Sequence, residues 1–96
     1  LGDGWYLGTV GFGHVRNHYG NYPLKLRSQL VLEYENGKTE TIITDNSWKY
    51  TIDGPIRFSD FLDGEVYDAR MELKGWTKPG FNDSKWNKSQ MYEVDK

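Results

Sequence analysis

The sequence predicts an all-β module built from short antiparallel strands joined by long glycine- and aromatic-rich loops. Three observations carry that expectation. The chain alternates polar and apolar residues with a period of two over residues 24–35. An Asn36–Gly37 pair follows, and a second alternating run returns behind it. The composition is ring-rich and glycine-rich, with 4 Trp, 7 Tyr, 4 Phe and 11 Gly in 96 residues.

The elements follow in chain order. Residues 1–23 hold more than half of the glycines, too many for a helix, since each interior Gly costs about 1 kcal/mol against Ala. A short strand is expected at Trp5–Val10, then a polar, aromatic loop through Pro23. In residues 24–35, Leu24, Leu26, Ser28, Leu30, Leu32 and Tyr34 share one face. Asn36–Gly37 as a two-residue turn would put Glu35 opposite Lys38, Val31 opposite Ile42 and Leu30 opposite Ile43. That register also sets Glu33 against Glu40, a like-charge pair. It makes both faces apolar at the hairpin base, which is expected to be covered on both sides.

Asp45–Asn46–Ser47 reads as a turn, Trp48–Ile52 as a strand and Asp53–Gly54–Pro55 as a second turn. Within 56–74 a strand is expected at about 65–72, where Val66, Asp68, Arg70 and Glu72 alternate with Tyr67, Ala69, Met71 and Leu73. Pro79–Gly80 breaks the chain, residues 82–86 suit one helical turn, and Met91–Val94 suits a last strand.

The composition also excludes several function classes. Twelve basic and 14 acidic residues leave a net charge of −2, without the basic excess of nucleic-acid or anionic-membrane binders. No cysteine is present, so disulfides, thiolate zinc sites and a Cys nucleophile are out. No apolar run is long enough to span a bilayer as a helix. His14 and His18 are four apart, but the glycines around them speak against a helix, and no HExxH glutamate follows. The Gly-x-Gly pairs at 2–4 and 11–13 lack the further residues of a phosphate loop.

Asp60, Asp63, Glu65 and Asp68 place four carboxylates in nine residues. Carboxylate oxygens suit a hard cation and accept hydrogen bonds from sugar diols. The bland alternative is a solvated turn with ion pairs to Arg57 and Arg70. Trp5, Tyr6 and Tyr19 lie where the glycine-rich backbone admits close approach, so ligand stacking, partner contact and loop packing all stay open. For Trp48, Trp76 and Trp86, packing is the expectation.

The series Gly2-Asp3-Gly4-Trp5-Tyr6, Gly11-Phe12-Gly13 and Tyr19-Gly20 before the hairpin resembles the N-terminal domain of bacterial α-L-rhamnosidases. The second half continues the resemblance with Gly54-Pro55-Ile56, Ser59-Asp60, Asp63-Gly64-Glu65, Tyr67-Asp68-Ala69-Arg70, Gly75-Trp76, Gly80-Phe81 and Asp83-Ser84-x-Trp86. The resemblance implies a partial β-sandwich of jelly-roll type, a single accessory domain over 1–96 beside a separate helical-barrel catalytic domain. It implies a parent glycoside hydrolase that releases terminal α-L-rhamnose by inverting hydrolysis with two carboxylates of the barrel. No position here matches the barrel motif, so no catalytic residue is carried over.

Family domains begin with strands ahead of the GDGWY-like segment, so the first strands are expected to be missing here. An open sheet edge would then invite a homodimer. The implied partners are the parent's other domains and a rhamnose-containing carbohydrate. Candidate carbohydrate contacts are Asp3, Trp5, Tyr6, Tyr19, Asp60, Asp63 and Glu65, and calcium, if held at all, would sit on Asp63 and Glu65. A calcium-assisted rhamnose-binding module is the alternative. Neither the compartment nor the natural substrate follows from the residues.

Overall fold

In a computed structural model, residues 1–93 are described. The chain divides into two compact units, one of residues 1–24 and 52–82, the other of residues 25–51 and from Asp83 onward. Among the described residues no helix is long and apolar enough to cross a membrane.

The first unit opens with a single helical turn, α1 (Gly4–Leu7), where a strand at Trp5–Val10 was expected. The amides of Leu7 and Gly8 donate to the carbonyls of Asp3 and Gly4 at 3.1 Å each. Residues 5–9 pair with no strand among the described residues, and the turn satisfies part of their backbone locally. It drives Leu7 fully into the interior and leaves Trp5 and Tyr6 exposed. Val10 and Val15 form one antiparallel bridge, closing a tight loop over Gly11–His14. The rest of the segment through Pro23 is irregular, as its glycine content predicts.

The same unit holds a hairpin of β1 (Ile56–Asp60) and β2 (Gly64–Tyr67). Ser59 pairs with Glu65 and Asp60 with Gly64, and the register shifts between Ile56 and Phe58, at Arg57. The strand expected at about 65–72 is the second of the pair, and it ends at Tyr67. The chain leaves the sheet at Asp68, whose carboxylate accepts the Arg70 amide at 3.0 Å and starts a 3-10 turn over Ala69–Met71. β1 was missed because its turn carries the apolar pair Phe61–Leu62, both exposed here. Asp60 closes that turn with its own side chain, Oδ1 accepting the amides of Leu62 (2.9 Å) and Asp63 (3.2 Å).

The second unit contains the alternating hairpin, β3 (Gln29–Glu33) with β4 (Thr39–Ile43). Its register is one residue off the expected one: Leu30 faces Ile42, Leu32 faces Glu40 and Glu33 faces Thr39. The loop has three residues. Gly37 donates to the Tyr34 carbonyl at 2.9 Å, and the Tyr34 amide donates to the Lys38 carbonyl at 2.9 Å. Gly37 alone takes a left-handed conformation, φ +79°, so the connection is a tight turn with a glycine bulge. The slip has a physical reward. It removes the Glu33–Glu40 opposition and lets the Tyr34 hydroxyl donate to Glu40 at 2.7 Å.

A shorter ribbon joins β5 (Lys49–Tyr50) to β6 (Asn87–Lys88). The Asp45 turn leads into it, with Oδ1 accepting the Ser47 amide at 2.8 Å. A turn at residues 83–86 leads into β6, closed by the Trp86 amide on the Asp83 carbonyl at 2.9 Å. β6 stands ahead of the expected final strand; residues 91–93 form none, and Val94 lies outside the described residues. The strands thus pair antiparallel, as expected, in three two-stranded sheets among the described residues. Those pairs do not by themselves draw a jelly roll.

Candidate functional site

Packing of the first unit centres on Leu7 (0% exposed), Thr9 (2%) and Asp60 (7%). A buried carboxylate demands partners, because an unpaired one is costly to desolvate. Asp60 finds them on a segment distant in sequence. Its Oδ2 accepts the Thr9 amide at 2.8 Å and Arg16 Nη1 at 3.2 Å.

Arg16 is the hub. Nη2 reaches Asp3 Oδ2 at 2.7 Å, while Nη1 lies 3.2 Å from Asp60 and 3.6 Å from Asp63. The same Nη1 donates to the Thr9 hydroxyl at 3.3 Å, and that hydroxyl donates to Asp63 at 2.5 Å. Asp3 also accepts the Tyr22 hydroxyl at 2.9 Å, and its amide donates to the Ser59 carbonyl at 2.8 Å. Arg16 further lies over the Phe58 ring, 5.5 Å from the centroid. One guanidinium fork therefore draws three carboxylates together, which only Arg geometry serves so well.

The electrostatics follow. Burial would push the Asp60 carboxyl up, but the amides of Thr9, Asp63 and Leu62 and the Arg16 charge outweigh it and hold the group below the ordinary carboxylate value. The Tyr22 phenol is raised, first by its hydrogen bond to Asp3, then by burial and the Asp3 charge, with Arg16 opposing. Every buried side-chain polar atom among the described residues has a hydrogen-bond partner. This cluster is a closed network.

The structure thus brings together Asp3, Asp60 and Asp63 from the expected carbohydrate contacts. Glu65 stands apart, exposed on β2 opposite Ser59. The rings of Trp5 and Tyr19 meet edge to face at 5.1 Å, and both remain more than half exposed. The Tyr6 ring lies against Gly20. The proposed calcium pair, Asp63 and Glu65, gains no third ligand: among the described residues no three acidic or histidine side chains gather to hold a metal.

Arg70 does pair with Asp68, at 2.6 Å, as expected. Arg57 does not serve Asp60 or Asp63. Its guanidinium donates to the carbonyls of Ile52 (2.8 Å) and Gly54 (3.0 Å) and so holds the turn before β1. Sequence reasoning missed Arg16 and Thr9. Nothing local marks their pairing with the hairpin acids, because Asp60 and Asp63 lie 44 to 54 residues away.

Fold and site together define an antiparallel β-rich module whose clustered carboxylates, Asp3, Asp60 and Asp63, are all engaged by its own arginine. The comparisons make the class specific. The model of the α-L-rhamnosidase N-terminal domain matches residues 1–96, and the chain belongs to that family. It is 48% identical over 87 residues to an α-L-rhamnosidase of Streptomyces avermitilis, covering 90% of this chain and 8% of that protein. An α-L-rhamnosidase of Alteromonas sp. is 37% identical over 86 residues, 90% of this chain and 9% of that protein.

Two crystal structures share the fold. The Streptomyces avermitilis α-L-rhamnosidase complexed with L-rhamnose superposes with a TM-score of 0.77 at 44% identity, over 90% of this chain and 8% of that one. The native α-L-rhamnosidase of Aspergillus terreus gives 0.83 at 42% identity, over 99% and 11%. The chain therefore spans about a tenth of the length of the proteins it matches.

Proposed function

We propose that this domain is a non-catalytic accessory part of an α-L-rhamnosidase, a glycoside hydrolase that releases terminal α-L-rhamnose with inversion. One observation carries the reading: the family match runs the length of a chain whose clustered acids, Asp3, Asp60 and Asp63, are committed to Arg16. An inverting glycosidase needs one carboxylic acid free to protonate the leaving oxygen and one carboxylate free to activate water. Asp60, held below the ordinary carboxylate value, is a poor proton donor near neutrality. Hydrolysis then belongs to residues elsewhere in the parent.

The test is direct. The parent enzyme is expected to release nitrophenol from nitrophenyl α-L-rhamnoside and to yield the inverted anomer by proton NMR. The present chain alone is expected to release none. Activity of this chain by itself overturns the accessory role; a parent inert on rhamnosides but active on another glycoside overturns the substrate. Direct rhamnose contact through Trp5, Tyr6, Tyr19 or Glu65 would appear as a change in Trp fluorescence on titration with L-rhamnose.

A further inference from the structure

We propose that the Val10–Val15 loop is a docking knob that seats Phe12 in the remainder of the parent rhamnosidase polypeptide. The inference rests on the accessory-domain reading above and gives it a contact residue. Phe12 is 107% exposed, at the tip of a loop closed by the Val10–Val15 bridge. Exposed apolar residues are common on any surface, so exposure alone decides nothing. The bracing of this loop is what sets Phe12 apart.

The residue preceding the loop is Thr9 and the one following it is Arg16. Both are clamped to β1 and its turn. Thr9 donates its amide to Asp60 and its hydroxyl to Asp63, and Arg16 binds Asp3, Asp60 and Asp63. The Val10 amide adds a 3.0 Å bond to the Val15 carbonyl, and the Asn17 amide one to the Leu7 carbonyl at 3.0 Å. The buried charge network is thus the foundation of a tight loop. That loop holds an aromatic side chain away from its own domain. A loop whose ends are braced before binding loses less backbone entropy on docking, and a single aromatic anchor can dominate an interface.

The occupant follows from proportion and chemistry. About nine-tenths of each matched rhamnosidase lies outside the segment this chain resembles, so polypeptide of the same molecule is present at very high effective concentration. Beside Phe12 the loop carries Gly11, Gly13 and one polar side chain, His14, with no carboxylate, lysine or arginine between Val10 and Val15. Phe12 framed by two glycines is an apolar tip, which fits an apolar socket in a neighbouring domain better than an ionic ligand.

The experiment uses the full-length parent enzyme with the photoreactive analogue p-benzoylphenylalanine in place of Phe12. After irradiation, peptide mapping by mass spectrometry is expected to find the cross-link within one polypeptide, joining position 12 to a peptide outside residues 1–96. Phe12→Ala is expected to lower the parent's thermal midpoint by a few degrees, and Phe12→Leu to restore most of the loss. A cross-link to a second copy, one confined to residues 1–96, or none at all overturns the proposal. Rhamnoside hydrolysis is measured on the same unirradiated enzyme. Its absence would strike the substrate assignment and leave the cross-link result to stand by itself.

Discussion

Gly8→Ala is the sharpest probe of how the glycine-rich segment meets the β1 strand. Gly8 has φ −76°, which alanine adopts freely, so backbone strain is not at issue. The difficulty is space. A Cβ at Gly8 would overlap Asp60 Oδ2 and the Gly4 carbonyl oxygen. Neither can give way cheaply. Asp60 is fixed through both oxygens by the amides of Thr9, Leu62 and Asp63 and by Arg16, and the Gly4 carbonyl holds the Gly8 amide in α1. Forcing one extra carbon into packed surroundings costs about 1–3 kcal/mol, and these anchored neighbours put the cost near the upper end. For a domain of this size about 3 kcal/mol lowers the thermal midpoint by roughly 12–24 °C. Thermal unfolding followed by tryptophan fluorescence reads the shift. Gly13→Ala is the control: its Cβ would meet only Val15, at an ordinary 3.6 Å, so a change within about 0.5 kcal/mol is expected. If the two variants unfold alike, the contact between this segment and Asp60 is wrong.

Other outcomes follow from the same geometry. Gly37→Ala should destabilise by about 1 kcal/mol in urea titration, since only Gly37 in that loop is left-handed. Glu35→Pro should be nearly neutral, because Glu35 occupies the position of the turn that favours proline, whereas a two-residue turn would need its amide. Leu7→Ala should cost about 2–5 kcal/mol by the same measurement, as Leu7 is the fully buried large side chain among the described residues. Acid should unfold the protein through Asp60, Asp45 and Asp68, all held below their ordinary values when folded. The stabilisation they supply is complete above the ordinary carboxylate pKa and drains away as pH falls through the depressed folded values. Circular dichroism against pH should show that loss, and Asp60→Asn should flatten the acid limb.

Much of the fold was legible in the residues. The two-residue period over 24–35 and the Asn36–Gly37 pair located the β3–β4 hairpin. The Asp45 turn, the break at Pro79–Gly80 and the family resemblance also came from local order along the chain. These signals work because alternation and turn chemistry involve residues a few positions apart, which the backbone brings together whatever the rest of the chain does.

Tertiary structure decided the remainder. The hairpin register moved by one residue because the choice between a two- and a three-residue loop depends on cross-strand pairs, among them the Tyr34–Glu40 hydrogen bond. The strand expected at Trp5–Val10 became a helical turn, and residues 5–9 pair with no strand among the described residues. Asp60 was visible as one acid among four, but its partner was not. Arg16 and Thr9 reach it across 44 and 51 residues, and no pattern along the sequence records which distant cation a buried carboxylate will meet. That pairing exists only once the chain has closed on itself, because only then does leaving Asp60 without Arg16 carry a desolvation cost.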